Sequence, residues 1–426
     1  MFDLDRWQEI LNAIRKNKMR SVMTAFGVFW AIFMLVIMNG SGNGLLNGIS
    51  EGFKDFATNS GFIWSERTTV AYEGFKRGRW WSVTNDDIVE IRDQIKEIDV
   101  ISPRLNGWNL NKGENVVRGE RSAAFNVMGD YPQYQKIDPG TMPWGRFIND
   151  EDIRLKRKVC LLGEKVYEVM FDKNEDPVGK YIRVNGVYFM VVGVFRSNNP
   201  NINIGSNKKE TIYMPFTTMQ QTYNYGNEVH YFGITVKKDF EVKNVMDKIY
   251  ALLRKNHKIS PDDQEAFGKF DVQNEVKTMF YVFLGINITI WVVGIMTLIA
   301  GAVGISNIML VIIKERTREI GIQRAIGAKP WTIVSQILTE SVFLTTISGF
   351  LGLAFGTMVL NIVDIIIDSS RANVVTEDET FFLNPEIGLP LAVSSLVLLI
   401  IVGFIAGLIP AMKAIKVKPI EALRHE

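Results

Sequence analysis

The sequence predicts an α+β membrane protein: four transmembrane helices, with a large α+β extracytoplasmic domain inserted between helices 1 and 2. Three observations carry this. Four stretches are apolar over the roughly 20 residues that a helix needs to cross a bilayer. Lysine and arginine gather at alternate ends of those stretches, as the positive-inside rule requires. The segment 43–278 mixes period-2 and helical apolar patterns, the signature of a folded domain. The overall hydrophobic content of 47% is ordinary, so the membrane signal is local. A net charge of +2 argues against a nucleic-acid partner. The single cysteine, Cys160, excludes an intrachain disulfide framework and a cysteine zinc site, and within RKVCLLG it reads as a small core residue. His230, His257 and His425 stand far apart without metal-ligand spacing, so no metal site or other chemistry is assigned to them.

The chain divides into segments in order. Residues 1–21 place Phe2, Leu4, Trp7, Ile10, Leu11 and Ile14 at helical spacing against charged positions, a cytoplasmic amphipathic helix at the membrane surface. Residues 22–42 form transmembrane helix 1, whose core, VMTAFGVFWAIFMLVIMN, carries no charge. A cleavable signal peptide is the rival reading, since the flank is basic and NGSGNG supplies small residues, although the apolar run exceeds a usual signal core. Residues 43–278 are the extracytoplasmic domain. Residues 279–313 are transmembrane helix 2 with an outward stalk, because the run is longer than a span requires. The segment 314–335 is a cytoplasmic loop, 336–366 transmembrane helix 3, 367–387 an outer loop, 388–412 transmembrane helix 4 and 413–426 a cytoplasmic tail.

Charge gives the orientation. Arg6, Arg15, Lys16, Lys18 and Arg20 precede the first span, and Lys314, Arg316, Arg318, Arg324 and Lys329 lie between spans two and three. Lys413, Lys416, Lys418 and Arg424 follow span four, whereas the loop between spans three and four carries Arg371 against five acids. Both termini and the 314–335 loop are therefore expected inside.

Within the domain, Thr84-Asn85-Asp86-Asp87 ahead of Ile88, Ile91, Ile95 and Ile98 reads as an N-cap, acids in the first turn and a helix. Asn185-Gly186, set between β-branched and aromatic runs in YIRVNGVYFMVVGVF, supplies the positive φ angles of a type I′ hairpin turn. Val242, Val245, Ile249, Leu252 and Leu253 mark a second amphipathic helix, and strands are expected at 124–128, 159–162, 211–214 and 230–236. Trp64, Trp80, Trp81, Trp108 and Trp144 are read as core or domain-contact residues, with a binding face as the alternative.

Inside the spans, small residues recur at the four-residue spacing that lets helix backbones approach, within one chain or between two: Gly27 with Ala31, Ala300 with Gly304, Gly352 with Gly356, and Gly403 with Gly407. Asp364 and Asp368 read as a solvated helix end rather than an ion path. The glycine-rich GSGNGLLNG at 40–48 reads as a flexible joint. The sequence contains no G-x-x-x-x-G-K-[ST] phosphate loop, no G-x-S-x-G and no H-E-x-x-H, so ATP, if used, is hydrolysed by another chain.

The loop between spans two and three, NIMLVIIKERTREIGIQRAIGAK, is the segment to which function is assigned. Glu315-Arg316-Thr317-Arg318-Glu319 is expected to continue the second span off the membrane, with Ile320, Ile322 and Ile326 as a small apolar face. Gly327 is a natural helix stop, and Pro330 suits the first turn of the next helix. A docking knob for a cytoplasmic partner and an ordinary basic turn at lipid headgroups fit these residues equally.

That stretch strongly resembles the signature of the MacB/FtsX-like family of ABC transporter permeases, the macrolide-exporter type. So do GLIPAMKAIKVKPIEALRHE at the C-terminus, DPVGKYIRVNGVYFMVVGVF at 176–195 and MRSVMTAFGV at 19–28. The resemblance implies a dimer of four-span subunits, homodimeric or heterodimeric, in the inner membrane, with a periplasmic core domain at 43–278. It implies no catalytic residue, metal or cofactor on this chain, with ATP bound by a cytoplasmic ABC ATPase subunit and, in some systems, a periplasmic adaptor and outer-membrane channel. By residue, it makes Glu315, Arg316, Thr317, Arg318, Glu319, Ile320, Gly321, Ile322, Arg324, Ile326 and Gly327 the ATPase-coupling segment. ATP-driven closure of the ATPases is then transmitted along the second span to the outer domain. Two departures stand out: Gln323 lies where the family often has a basic residue, and no ATPase domain is fused. Export of a small molecule or peptide from the periplasm is the expected role. Lipoprotein release, control of a cell-wall hydrolase and antimicrobial-peptide sensing are the alternatives. Arg318→Glu with Glu319→Arg, or Gly321→Pro, is expected to disturb the docking knob alone.

Overall fold

A computed structural model describes residues 18–108, 110, 113–199, 202–373, 382–385 and 388–416. The expected surface helix before Lys18 and most of the tail lie outside the described residues. In chain order the elements are α1 (Lys18–Gly52), β1 (Ser60–Ser65), β2 (Val83–Thr84), α2 (Asn85–Gln94), β3 (Ile98–Asn106), β4 (Val116–Arg118), β5 (Arg121–Ala123) and β6 (Asn126–Asp130). Then come β7 (Gly140–Gly145), α3 (Asp150–Arg154), β8 (Val159–Gly163), α4 (Glu164–Met170), β9 (Tyr181–Val184), β10 (Val187–Ser197), β11 (Thr211–Pro215) and α5 (Phe216–Thr222). The last elements are β12 (Glu228–Val229), β13 (Tyr231–Val236), α6 (Val242–His257), β14 (Phe267–Asp271), α7 (Val272–Glu315), α8 (Thr317–Ala325), α9 (Pro330–Asn373) and α10 (Leu389–Ile415). Two compact units result: the described residues up to Ile49 with those from Tyr281 onward, and Ser50–Phe280 between them.

Among the described residues, four helices, α1, α7, α9 and α10, are long and apolar enough to cross a membrane. Each runs past the apolar stretch that predicted it. The α7 and α9 helices are 44 residues each, roughly 65 Å at 1.5 Å per residue against about 30 Å of hydrocarbon. Hydropathy marks where a helix meets lipid, whereas a helix ends where its backbone hydrogen bonds end. Thus α9 begins at Pro330 rather than at 336, because proline fits a first turn. The glycine-rich 40–48 stretch is helical throughout, contrary to the expected flexible joint. Its glycines are there for clearance: a Cβ at Gly44 would lie 2.8 Å from Phe382, and one at Gly40 would run into Leu360.

The same close approach explains most of the small residues in the spans. A Cβ on Gly352 would sit 2.5 Å from the Phe29 carbonyl oxygen, and one on Gly356 2.5 Å from Val36 Cγ1. On Gly403 and Gly407 it would meet Val342 Cα at 3.1 Å and Ser341 Oγ at 2.7 Å. Gly27 faces Gly301 Cα at 3.8 Å. In α7, Gly294 and Gly301 make the close contacts with α1, against Leu35 and Val28, while Ala300 is exposed in the single chain. Seven residues are nearly two helical turns, so these two glycines share a face.

The second unit is built on a sheet ordered β14-β1-β13-β3-β6-β11-β8-β10-β9-β4-β5, with β7 also on β10. The pairs β10–β8 and β11–β6 are parallel; the rest are antiparallel. Alternation along each strand feeds two cores. Cys160, Leu162, Val127, Ile212 and Met214 pack with the apolar faces of α2, α4, α5 and α6, while Val159, Leu161, Met128 and Tyr213 pack on the opposite face with Tyr134, Ile137 and Phe195. Burial pushes the Cys160 thiol pKa up, so it stays an inert thiol. Asn185 (φ 46°) and Gly186 (φ 84°) make the β9–β10 hairpin turn. Thr84 caps α2 in a capping box with Asp87. That helix stops at Gln94, however, and Ile98, expected on it, opens β3, where Ile98, Val100 and Ile101 follow the β propensity of branched side chains. Of the five tryptophans, Trp81 is core, packed on Phe267, whereas Trp80 and Trp108 are exposed.

Candidate functional site

The loop between the second and third membrane helices is ordered by three local devices. The first is a break. The α7 helix does not continue through Glu319 as expected but ends at Glu315, with Arg316 (φ −94°, ψ 11°) as the joint into α8. Helix ends leave carbonyls unsatisfied, and Thr317 Oγ1 donates to those of Ile313 and Lys314 at 2.9 and 2.8 Å. The second is a clamp. Arg316 Nε donates to Glu319 Oε2 at 3.0 Å and Nη1 to Glu340 Oε1 at 3.1 Å, tying α7, α8 and α9 together through one guanidinium. Glu340 is 5% exposed. A buried carboxylate is tolerable only with such a partner.

The third device is the stop. Gly327 takes φ +101°, its N–H donates to Arg324 O at 3.1 Å, and Ala328 N–H donates to Gln323 O at 3.0 Å. These two bonds are the Schellman pattern that closes a helix with a left-handed glycine. Arg324 adds a bond to the Ile415 carbonyl at the end of α10. The short helix is thereby fixed at its start to α9 and at its end to α10.

This pinning decides which side chains are available. Ile320 and Gly321 are buried in the membrane unit, so Ile320 is a core residue and not part of the expected apolar face. Two residues on, and therefore about 200° around the helix, Ile322 is exposed, and Ile326 is 82% exposed. Trp331, on the first turn of α9, is 71% exposed. Glu315, Arg318 and Glu319 are also exposed, while Arg316, Thr317 and Arg324 are half-buried. The outward surface is thus Ile322, Ile326 and Trp331 with a charged border. The expectation that Arg318/Glu319 exchange or Gly321→Pro would disturb docking alone does not hold. Glu319 partners Arg316, and Gly321 is packed inside.

Sequence reasoning missed two residues here, Glu340 and Trp331. The signal for Glu340 was present: an ionisable residue inside an apolar run, SQILTESVFL, is costly unless it has a function or a partner. Trp331 was hidden by the convention that set the third span at 336.

The family model for the MacB-like periplasmic core domain matches residues 21–252, more than half of the chain, and that for the FtsX-like permease C-terminal region matches 291–419. The chain belongs to the MacB/FtsX-like family of ABC transporter permeases. Its four candidate membrane helices and the mixed α/β domain between the first two are the architecture of that family. Among relatives, the macrolide export ATP-binding/permease protein MacB of Bdellovibrio bacteriovorus is 28% identical over 96% of this chain. The pyoverdine export ATP-binding/permease protein PvdT of Pseudomonas entomophila is 25% identical over 96%. The chain spans 60% and 58% of the length of these two relatives. The crystal structure of the periplasmic region of MacB from Actinobacillus actinomycetemcomitans aligns with 54% of this chain and 97% of its own, at 19% identity and a TM-score of 0.42. A MacB/FtsX-type permease is a multi-pass membrane protein of a transporter.

Proposed function

We propose that this chain is the permease subunit of an ABC transporter that couples ATP hydrolysis by a partner ATPase subunit to movement of its 43–278 domain, driving export of a small molecule or peptide from the periplasm. The protein sits in the inner membrane with both termini and the 314–335 loop in the cytoplasm, paired with a second permease chain. ATP is held by the ATPase, since the 426 residues contain no phosphate loop. The observation that carries the reading is the α8 segment. It is a short helix clamped to two membrane helices that presents Ile322, Ile326 and Trp331 outward. A surface that is rigidly joined to the spans and apolar on its outer side suits a partner that pushes: force applied there reaches α7 and α9 without being absorbed by loop flexing. Export is favoured among the roles by the core-domain match and by the two relatives, named as macrolide and pyoverdine exporters.

The test is purification of the tagged chain from its native membranes in mild detergent, with partners identified by mass spectrometry. An adaptor and an outer-membrane channel arriving with the ATPase are expected. A cell-wall hydrolase or a lipoprotein carrier in their place overturns the export role.

A further inference from the structure

Three neighbouring strands, β14, β1 and β13, each present an aromatic residue on one face of the sheet. Trp64 on β1 stands opposite Tyr231 on β13, and Phe270 on β14 lies two residues from Gly268, the partner of Trp64 on that side. Gly268 makes room for the indole, since a Cβ there would fall 1.9 Å from Trp64 Nε1. Past the end of β3, Trp108 stacks on His230 with ring centroids 5.9 Å apart and planes 5° apart. Such offset stacking is the favoured arrangement of two flat rings. On the remaining side the Tyr231 hydroxyl donates to the Ile204 carbonyl at 3.2 Å, and Gly205, at φ +86°, has no Cβ to strike that hydroxyl. These residues surround a cavity of about 340 Å³, within the size range of small-molecule sites.

The cavity offers ring faces rather than hydrogen bonds. Trp64 Nε1 donates to Glu66 Oε1 at 2.9 Å, and the Tyr231 hydroxyl is spent on Ile204. His230 Nδ1 accepts the Asn106 backbone N–H at 3.0 Å, which places the imidazole proton on Nε2. Burial lowers the His230 pKa, so the ring is neutral at pH 7. Among the described residues no Asp, Glu, Lys or Arg lines the cavity. Two of its rings nevertheless stay open to solvent, Trp108 at 64% and Phe270 at 36% exposure. Clustered exposed apolar surface marks an interaction site. The residues outside the described set that adjoin these walls in the chain, Asn109, Asn111, Lys112, Pro200 and Asn201, carry no aromatic ring. We propose that this cavity binds a small, uncharged molecule with flat aromatic rings, held by stacking and apolar contact with Trp64, Trp108 and Phe270. The site lies wholly within the Ser50–Phe280 unit and needs neither ATP nor the α8 surface, so its failure would leave the export reading standing.

The probe is 2-naphthol, two fused flat rings with a phenolic hydroxyl that is neutral at pH 7. Decahydro-2-naphthol keeps the carbon skeleton and the hydroxyl but has puckered rings without a π face. Ligand-observed NMR is run on the full chain and on Trp108→Ala in the same detergent, so that partitioning into micelles is common to both. Trp108 is exposed, and its replacement is expected to leave the fold intact. Wild type is expected to bind 2-naphthol, and to bind the saturated analogue about tenfold more weakly. Trp108→Ala is expected to weaken 2-naphthol by about tenfold as well, whereas Trp108→Phe, which restores a ring, should stay within about threefold of wild type. Trp80→Ala removes an indole that is 61% exposed but outside the cavity, and is expected to change nothing. Equal binding of the two naphthols, or equal binding of 2-naphthol by wild type and Trp108→Ala, overturns the proposal. So does an equal loss in Trp80→Ala. A fall in particle mass by light scattering when 2-naphthol is added would show that a second copy of this chain covers the cavity, and would overturn it too.

Discussion

Arg316 and Glu340 form a connection that neither residue makes alone. Removing Glu340 takes from the half-buried Arg316 guanidinium one of its two carboxylate partners, and removing Arg316 takes a cation from beside a buried carboxylate. Glu340→Ala is therefore expected to cost about 1–3 kcal/mol, discounted because Arg316 is partly solvated. The loss would appear as a lowered thermal midpoint in detergent. A double-mutant cycle with Arg316→Ala should return a coupling that exposed pairs lack. A second residue-scale prediction concerns Asp87. Burial pushes its carboxyl pKa up, but hydrogen bonds from His257, Asn256 and Thr84 outweigh this and hold it at about 2, below the ordinary 3.8. A carboxylate depressed on folding stabilises the fold above its unfolded pKa, and the contribution is lost as pH falls through the folded value. The domain should thus lose this contribution between about pH 4 and pH 2, and Asp87→Asn should be less stable at neutral pH with a shallower loss over that window. Trp81 lies 4.9 Å from the His257 ring, so tryptophan fluorescence during acid titration reads the change. An identical acid profile for wild type and variant would remove the assignment.

At the scale of elements, the hairpin at Asn185-Gly186 and the cap at Thr84 were legible because their chemistry is local: a dipeptide that tolerates positive φ, and a side chain that reaches three residues on. The Gly327 stop and the Pro330 start were legible for the same reason. What the sequence did not disclose depends on neighbours distant in the chain. Ile320 and Ile326 are equivalent in composition, yet one is buried among the membrane helices and the other is 82% exposed, because the Arg316–Glu340 clamp sets the rotation of α8. The glycines at 40–48 look like a hinge until Leu360 and Phe382 are seen to occupy the space a side chain would need. This yields a prediction for helix packing. Gly352→Val would drive methyl groups into the Phe29 backbone and is expected to cost about 1–3 kcal/mol. Ala300→Val, at an exposed site on α7, should be nearly neutral in the same detergent melts. Equal losses would show that the contact register of α7 is wrong.

For the whole molecule, the account rests on one rigid connection from the α8 surface into the membrane helices, together with an ATPase that grips it. Ile326→Asp combined with Trp331→Asp alters only the exposed part of that surface and leaves Arg316, Glu319, Arg324 and Glu340 in place. The most direct measurement is the amount of nucleotide-binding protein that co-purifies per permease chain, compared between wild type and this double variant at equal membrane insertion. The account predicts a stoichiometric ATPase with wild type and at least a tenfold loss with the variant, about 1.4 kcal/mol or more of docking energy. An ATPase retained equally by both, or absent from the wild-type protein in every mild detergent, would contradict it.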